Sequence, residues 1–231
     1  AWTLATVRGT IVHKAVELLI NWNGSVVPAD VVDEAIRSIA ENPRERASEF
    51  LDQLPPAEMA ELRGVVMGAV TNFIDSFPPV QKSWRPLVEY TALYSLFGNS
   101  VQFNTRMDLV LGRQGRRVII DLKSGRTTPT HRDDLRFYAL VETLKFRQPP
   151  RRLGSFSLDA ARLDDEEVTE GLLQAAVRRT AHGAIAIADL ELRRRDPVVR
   201  PGMQCRWCPV AEQCDDGQRF LRSLSGDDED E

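Results

Sequence analysis

At 231 residues the chain is long enough to bury one sizeable core, with room for a small appendage. Its 42% hydrophobic and 28% charged residues are those of an ordinary soluble globular protein, and no apolar run is long enough to cross a bilayer. The net charge of −4 offers no general attraction for nucleic acid, but without the five acidic residues that end the chain it is about +1, which neither supports nor excludes such a partner.

Residues 6–22 place Val12, Val16 and Leu19 at helical spacing before Asn23-Gly24 stops the pattern, which predicts an amphipathic helix carrying His13. Asp30–Glu41 and Pro43–Leu54 read as short helices, and Pro55-Pro56 opens a longer one through Phe77. From Pro86 the residues turn β-branched and aromatic. Val88–Phe97, a Gly98-Asn99 turn, Val101–Leu111, a turn at Gly112–Gly115 and Arg116–Lys123 predict a three-stranded meander. A helix over Arg132–Phe146, a strand over Leu153–Leu158 and a long helix from about Asp165 to Arg195, weakened at Gly183, follow. Pro197 and Pro201 end that helix, and a cysteine segment and the acidic tail Asp227–Glu231, expected to be disordered, close the chain. The expected fold is α/β: a central mixed sheet flanked by helices, with a helical insertion at about 28–80 and a cysteine cap at 197–220. All of this forms one domain over residues 1–226.

Only four of the 30 basic residues are lysine, so a lysine beside a carboxylate invites a chemical reason. In the strand around Asp108, Val101, Phe103, Thr105, Met107, Leu109 and Leu111 alternate with Gln102, Asn104, Arg106 and Asp108. If Gly112–Gly115 is a four-residue loop, Leu111 pairs with Arg116, Asp108 faces Ile119 and Arg106 faces Asp121. Asp108, Asp121 and Lys123 then share one face, the two aspartates as diagonal neighbours roughly 7–8 Å apart at the backbone. Two carboxylates at that distance suit Mg²⁺ or Mn²⁺, which keep waters for substrate. Lys123 can neutralise charge on a phosphorane-like transition state or orient a water. An isolated Asp121–Lys123 surface ion pair is the bland alternative, disfavoured by the apolar run Val118-Ile119-Ile120 leading into Asp121-Leu122-Lys123-Ser124-Gly125.

Asp108 followed by Ile120-Asp121-Leu122-Lys123-Ser124-Gly125 resembles the PD-(D/E)XK nuclease signature, and Gly9-Thr10-Ile11-Val12-His13 is similar to the Gly-x-x-x-His helix of its RecB-like branch. Asp134 and Tyr138 stand where that branch has Gln-x-x-x-Tyr; Tyr138 matches and Asp134 departs, a carboxylate there being expected to repel phosphate. The resemblance covers about His13 to Cys214. It implies a restriction-endonuclease-like core in which His13, Asp108, Asp121 and the Leu122 carbonyl bind the metal, Lys123 is the catalytic lysine, and Tyr138 supports the active site or the strand. Glu89 and Arg106 are candidates for support of the ligands or DNA contact, as is Asp134. The basic stretches Arg147–Arg152 and Arg193–Arg195 read as solvated faces more readily than as DNA contacts.

The cysteines form a triplet, Cys205-x-x-Cys208-x-x-x-x-x-Cys214. The chain shows no basic, apolar leader, so the cytoplasm is the expected compartment and a metal centre the expected use. Zinc and cubane iron–sulfur sites usually take four protein ligands, and this chain has three cysteines. The triplet looks like that of iron–sulfur RecB-like nucleases, as in the AddB subunit and the CRISPR-adaptation nucleases. The resemblance implies a structural 4Fe-4S cluster whose fourth cysteine lies ahead of the His helix. Because the chain begins at Ala1, that partner is expected before its first residue. Zinc with His131 or His182 as fourth ligand and an empty site are the alternatives. The expected function is a metal-dependent nuclease acting on single-stranded DNA or DNA ends in repair, recombination or defence, with a helicase as a candidate partner and no membrane. The competing reading is an inactive nuclease fold that holds DNA or docks a protein.

Overall fold

The computed structural model describes residues 2–42, 46–125 and 129–225. The acidic tail expected at Asp227–Glu231, and Pro43 at the start of one expected helix, lie outside them. The chain divides into two compact units, Trp2–Ala181 and a C-terminal unit from His182. Among the described residues no helix is long and apolar enough to cross a membrane.

The first unit opens with four helices, α1 (Leu4–Ile20), α2 (Pro28–Ala40), α3 (Arg46–Asp52) and α4 (Pro56–Ser76). Thr3 starts α1 in a reciprocal cap with Thr6, and Pro28 and Pro56 occupy first-turn positions of α2 and α4, where a missing N–H is harmless. The five strands are β1 (Leu87–Leu96), β2 (Val101–Leu111), β3 (Val118–Lys123), β4 (Arg152–Ser157) and β5 (Arg162–Glu167). They lie in the order β1-β2-β3-β4-β5, antiparallel except for the parallel pair β3/β4. The crossover between those two strands carries α5 (Pro129–Phe146). A mixed sheet flanked by helices, with a helical insertion between α1 and β1, is the expected architecture.

Two apolar clusters cover the two faces of the sheet. Ile11, Val12 and Val16 of α1, with α2 and α4, pack on Leu109, Ile120, Leu122 and Phe156. Leu135, Ala139 and Val141 of α5 pack on Met107, Val110, Ile119 and Leu153. β5, Arg-Leu-Asp-Asp-Glu-Glu, is a departure from expectation, since Asp165–Glu167 were expected to open a helix. As an edge strand it is held instead by its ladder to β4 and by Arg152–Asp165 and Arg136–Glu166 ion pairs, and charge on such an edge discourages pairing with other chains.

Helix α6 (Glu170–Glu191) carries the chain from the first unit into the second and continues through Gly183 without a break. The second unit then holds the cysteine segment and an additional helix, α7 (Asp215–Ser225). There Gly202 N–H donates to Cys205 Sγ at 3.5 Å and Gly217 N–H to Cys214 Sγ at 3.3 Å. A Cβ on Gly217 would lie within 3.4–3.5 Å of both sulfurs, so glycine there lets α7 start against the pair.

Candidate active site

The β2–β3 register differs from expectation by two residues. Leu111 pairs with Val118 and Leu109 with Ile120, so the connection spans 112–117. Gly112 is the cause: at φ +94 it turns the chain aside, its N–H bonds Trp84 O at 2.6 Å, and a side chain there would meet Arg116 O at 2.9 Å. Continued past Leu109↔Ile120, this register sets Asp108 level with Asp121 rather than diagonal to it.

The strict alternation expected along β2 is broken at the site. Phe103 and Met107 face the α5 cluster, but Leu109 and Leu111 face the α1 cluster. β1 changes phase at the same level, with Val88 on the α1 side and Tyr90 on the α5 side. Between them stands Glu89 at φ +50, a left-handed conformation that costs a non-glycine residue roughly 1–3 kcal/mol. Val88↔Leu109 and Tyr90↔Met107 flank Glu89 and Asp108 across the ladder. The β2/β3 ladder ends at Leu109↔Ile120, and the next N–H of β3 on that side, Leu122, donates to Asp108 Oδ2 at 2.6 Å. A carboxylate thus takes over a backbone hydrogen bond, and β2 parts from β3 while β3 stays paired with β4 through Asp121↔Ser155 and Lys123↔Ser157.

Helix α1 brings His13 to this gap. Its approach depends on Gly9, where an added Cβ would come within 3.2 Å of Ser124 Oγ. Arg8 and Asp159 hold it there by an ion pair, and the Asn72 side chain donates to Leu158 O at 2.9 Å from α4. His13 Nδ1 lies 3.3 Å from Asp108 Oδ1. One ligand atom each from His13, Glu89 and Asp108 falls within 4.8 Å of the others, the sole such group of three among the described residues. An imidazole and two carboxylates this close are a donor set that fits a divalent cation. Glu89 was expected only in a supporting role; its position across the ladder from Asp108 is the signal that places it. Arg106 pairs with Glu89. These residues line one end of a cleft of about 510 Å³, bounded by Thr6, Thr10 and Lys14 of α1 and Ser38 and Ile39 of α2.

Asp121 is nearly inaccessible, its side chain 7% exposed, and its Oδ2 pairs with Lys123 Nζ at 2.8 Å. Burial, and then the Asp108 charge, push its pKa up to about 6 against the pull of Lys123 and His13. Burial draws His13 down, but its hydrogen bond to Asp108 and the charges of Asp108, Glu89 and Asp121 outweigh it, and its pKa is raised. On the α5 side, burial and the charges of Asp121, Asp108 and Asp134 push Tyr138 up to about 12, so it stays a neutral O–H donor. His131 is lowered by burial and Lys123. The site therefore gathers His13, Glu89, Asp108, Asp121, Lys123 and Tyr138 around the parting of β2 from β3, with Asp134 exposed at its margin.

A parted sheet with carboxylates and a lysine at the opening can hold a divalent cation beside a phosphate. The model of the PD-(D/E)XK nuclease superfamily matches residues 3–215, and the chain belongs to that superfamily. A crystal structure of a candidate exonuclease from Eubacterium rectale shares the fold, with a TM-score of 0.52 and 12% identity over 92% of this chain and 75% of that one. The protein SSO0001 aligns over 90% of this chain and 95% of its own, at 14% identity and a TM-score of 0.39. No curated protein matches the chain.

Proposed function

We propose that the chain is a divalent-metal-dependent deoxyribonuclease that acts on single-stranded DNA or DNA ends. The observation that carries the reading is the His13–Glu89–Asp108 group beside the buried Asp121–Lys123 pair. His13, Asp108 and Asp121, with the Leu122 carbonyl, would hold Mg²⁺ or Mn²⁺, and Glu89 joins them as a ligand. A bound divalent cation supplies positive charge toward the scissile phosphate. Lys123, compact and 23% exposed, meets charge developing on the phosphate and orients the attacking water. Tyr138 donates its O–H toward the strand or the carboxylates. Asp108, by accepting from Leu122 N–H, fixes the β3 backbone whose Leu122 carbonyl would serve as a ligand.

Cys205, Cys208 and Cys214 are three donors for a group that takes four, and their sulfurs are not all within 4.8 Å of one another. The spacing of the three cysteines supports a structural 4Fe-4S cluster or zinc, with its fourth ligand from elsewhere. Iron and zinc analysis of the purified protein distinguishes the two. A role in repair, recombination or defence beside a helicase in the cytoplasm belongs to the same reading. The test is cleavage of end-labelled linear single- and double-stranded DNA with Mn²⁺ or Mg²⁺. The wild type cleaves, while Asp121→Ala and Lys123→Ala each lose at least about 10²-fold. Equal cleavage by the variants would mean a contaminating activity or a misplaced active site, and no cleavage by the wild type would leave an inactive fold that holds DNA or docks a protein.

A further inference from the structure

Beyond the site, β1 and β2 continue as a two-stranded ribbon. One face, with Ala92, Tyr94, Phe103 and Met107, packs toward α5, where Phe103 meets Phe137 edge-on at 5.7 Å. The opposite face is bare. Its cross-strand pairs are Thr91↔Arg106, Leu93↔Asn104 and Ser95↔Gln102. Leu93 is 48% exposed, and Phe97 at the tip is 80% exposed. Phe97 at φ +50, Gly98 at φ +60 and Asn99 at φ +71 are all left-handed, and Ser100 N–H to Phe97 O at 3.2 Å closes the turn, which lifts Phe97 out of the strand alternation. Phe97 is thus presented by a defined turn.

Charge distinguishes this face. The protein has 34 acidic residues, yet none falls between Tyr90 and Met107, where the single charged side chain is Arg106. Arg106 also lines the cleft that holds the metal-ligand group. Asp108, Arg106, Asn104 and Gln102 follow at two-residue steps of roughly 7 Å, so the amide side chains form a track of roughly 20 Å from Asp108 toward the tip. An aromatic ring, an aliphatic side chain, two amides and a guanidinium, with no carboxylate beyond Glu89, suit a polyanion that also offers flat apolar faces.

We propose that the outer face of the β1–β2 hairpin is a platform for single-stranded DNA. Bases stack on Phe97 and Leu93, Gln102 and Asn104 hydrogen-bond the strand, and Arg106 passes it to the cleft. Stacking accepts any base, so the platform sets affinity for single strands without sequence preference. A duplex, whose bases are stacked on each other, cannot use it until its end frays. The inference rests on the nuclease reading, and it names how that site selects its substrate.

The test compares Phe97→Ala and Phe97→Ala/Leu93→Ser with wild type on single-stranded oligonucleotides from about 2 to about 16 nucleotides, the span of single-strand site sizes. Both cleavage with Mn²⁺ and binding by fluorescence anisotropy in EDTA are read. In the wild type, KM falls and affinity rises with length until the strand covers the hairpin. In the variants that gain is lost, with KM for the longest oligonucleotide raised at least about five-fold, while kcat and cleavage of the shortest substrate are unchanged. Circular dichroism and melting match the wild type, since both side chains are exposed. A length dependence identical in wild type and variants overturns the platform and assigns the face to another partner. Loss of cleavage for every length in the variants overturns it too, because the hairpin would then shape the site itself. If the wild type cleaves nothing while binding still shows the length gain and its loss in the variants, the nuclease reading fails and the platform stands.

Discussion

Asp121→Asn should stabilise the metal-free protein while abolishing its activity. With Asp121 buried opposite Asp108, its carboxyl is raised from 3.8 to about 6, which sets the cost of the charged form at roughly 3 kcal/mol. Because the folded-state pKa lies above the unfolded value, the protonated carboxyl is the favoured one. That stability is fully present below about pH 4 and is lost as pH rises through 6. Asparagine keeps the shape and removes the charge. At pH 8 the variant should therefore melt above the wild type in EDTA, by roughly 6–12 °C for a chain of this size. At pH 4 the gap should close. Mn²⁺ at a hundred times its dissociation constant should stabilise the wild type by about 2.7 kcal/mol, raising its melting temperature, and do little for the variant. Melting curves at several pH values with EDTA or Mn²⁺ make the measurement. A variant less stable than wild type at pH 8 would refute the reasoning, since pairing with Lys123 would then outweigh burial and repulsion by Asp108.

Three further outcomes follow from the same geometry. Metal uptake near pH 6 should expel protons, because Asp121 is raised to about 6 and His13 is raised above its ordinary value; calorimetry in buffers of different ionisation heat reads the release, and affinity should climb as pH rises. Tyr138→Phe should lower kcat without moving any alkaline limb of the pH–rate profile, since a hydroxyl pushed up to about 12 does not titrate below pH 10; a limb that vanishes in the variant would contradict this. Arg117→Ala should destabilise by about 3–5 kcal/mol in urea melts, because Glu142, 1% exposed, loses the cation that pairs with it between the rings of Tyr90 and Phe146, 5.2 and 5.0 Å from the guanidinium. The double variant Arg117→Met/Glu142→Leu should recover most of that loss.

The parts of the fold legible in the sequence are those where local chemistry and burial agree. Val101–Leu111 is bounded by turn residues and is a strand over those same residues, and α4 begins and ends where the proline pairs put it. β5 was not legible because its residues carry no apolar period. What makes it a strand is the neighbouring β4 and the ion pairs across the edge, which only the folded chain supplies. The length of the 112–117 connection was hidden for a similar reason, since the bond that draws Gly112 aside comes from Trp84, far back in the chain.

That misplaced register left the nearness of Asp108 and Asp121 readable because side-chain direction in a strand repeats every two residues. A slip of one would have turned Asp108 away from Asp121, whereas a slip of two keeps both at the same opening. Glu89 shows the limit of such reading. Alternation along β1 predicts that residues 88 and 90 share a face, and they do not. The positive φ at Glu89, matched by the phase change across the ladder at Asp108, is what brings both carboxylates to His13. A strained backbone that interrupts two strands at one level weakens the sheet unless something at that level repays it. The three ligand atoms gathered there are where a divalent cation would do so.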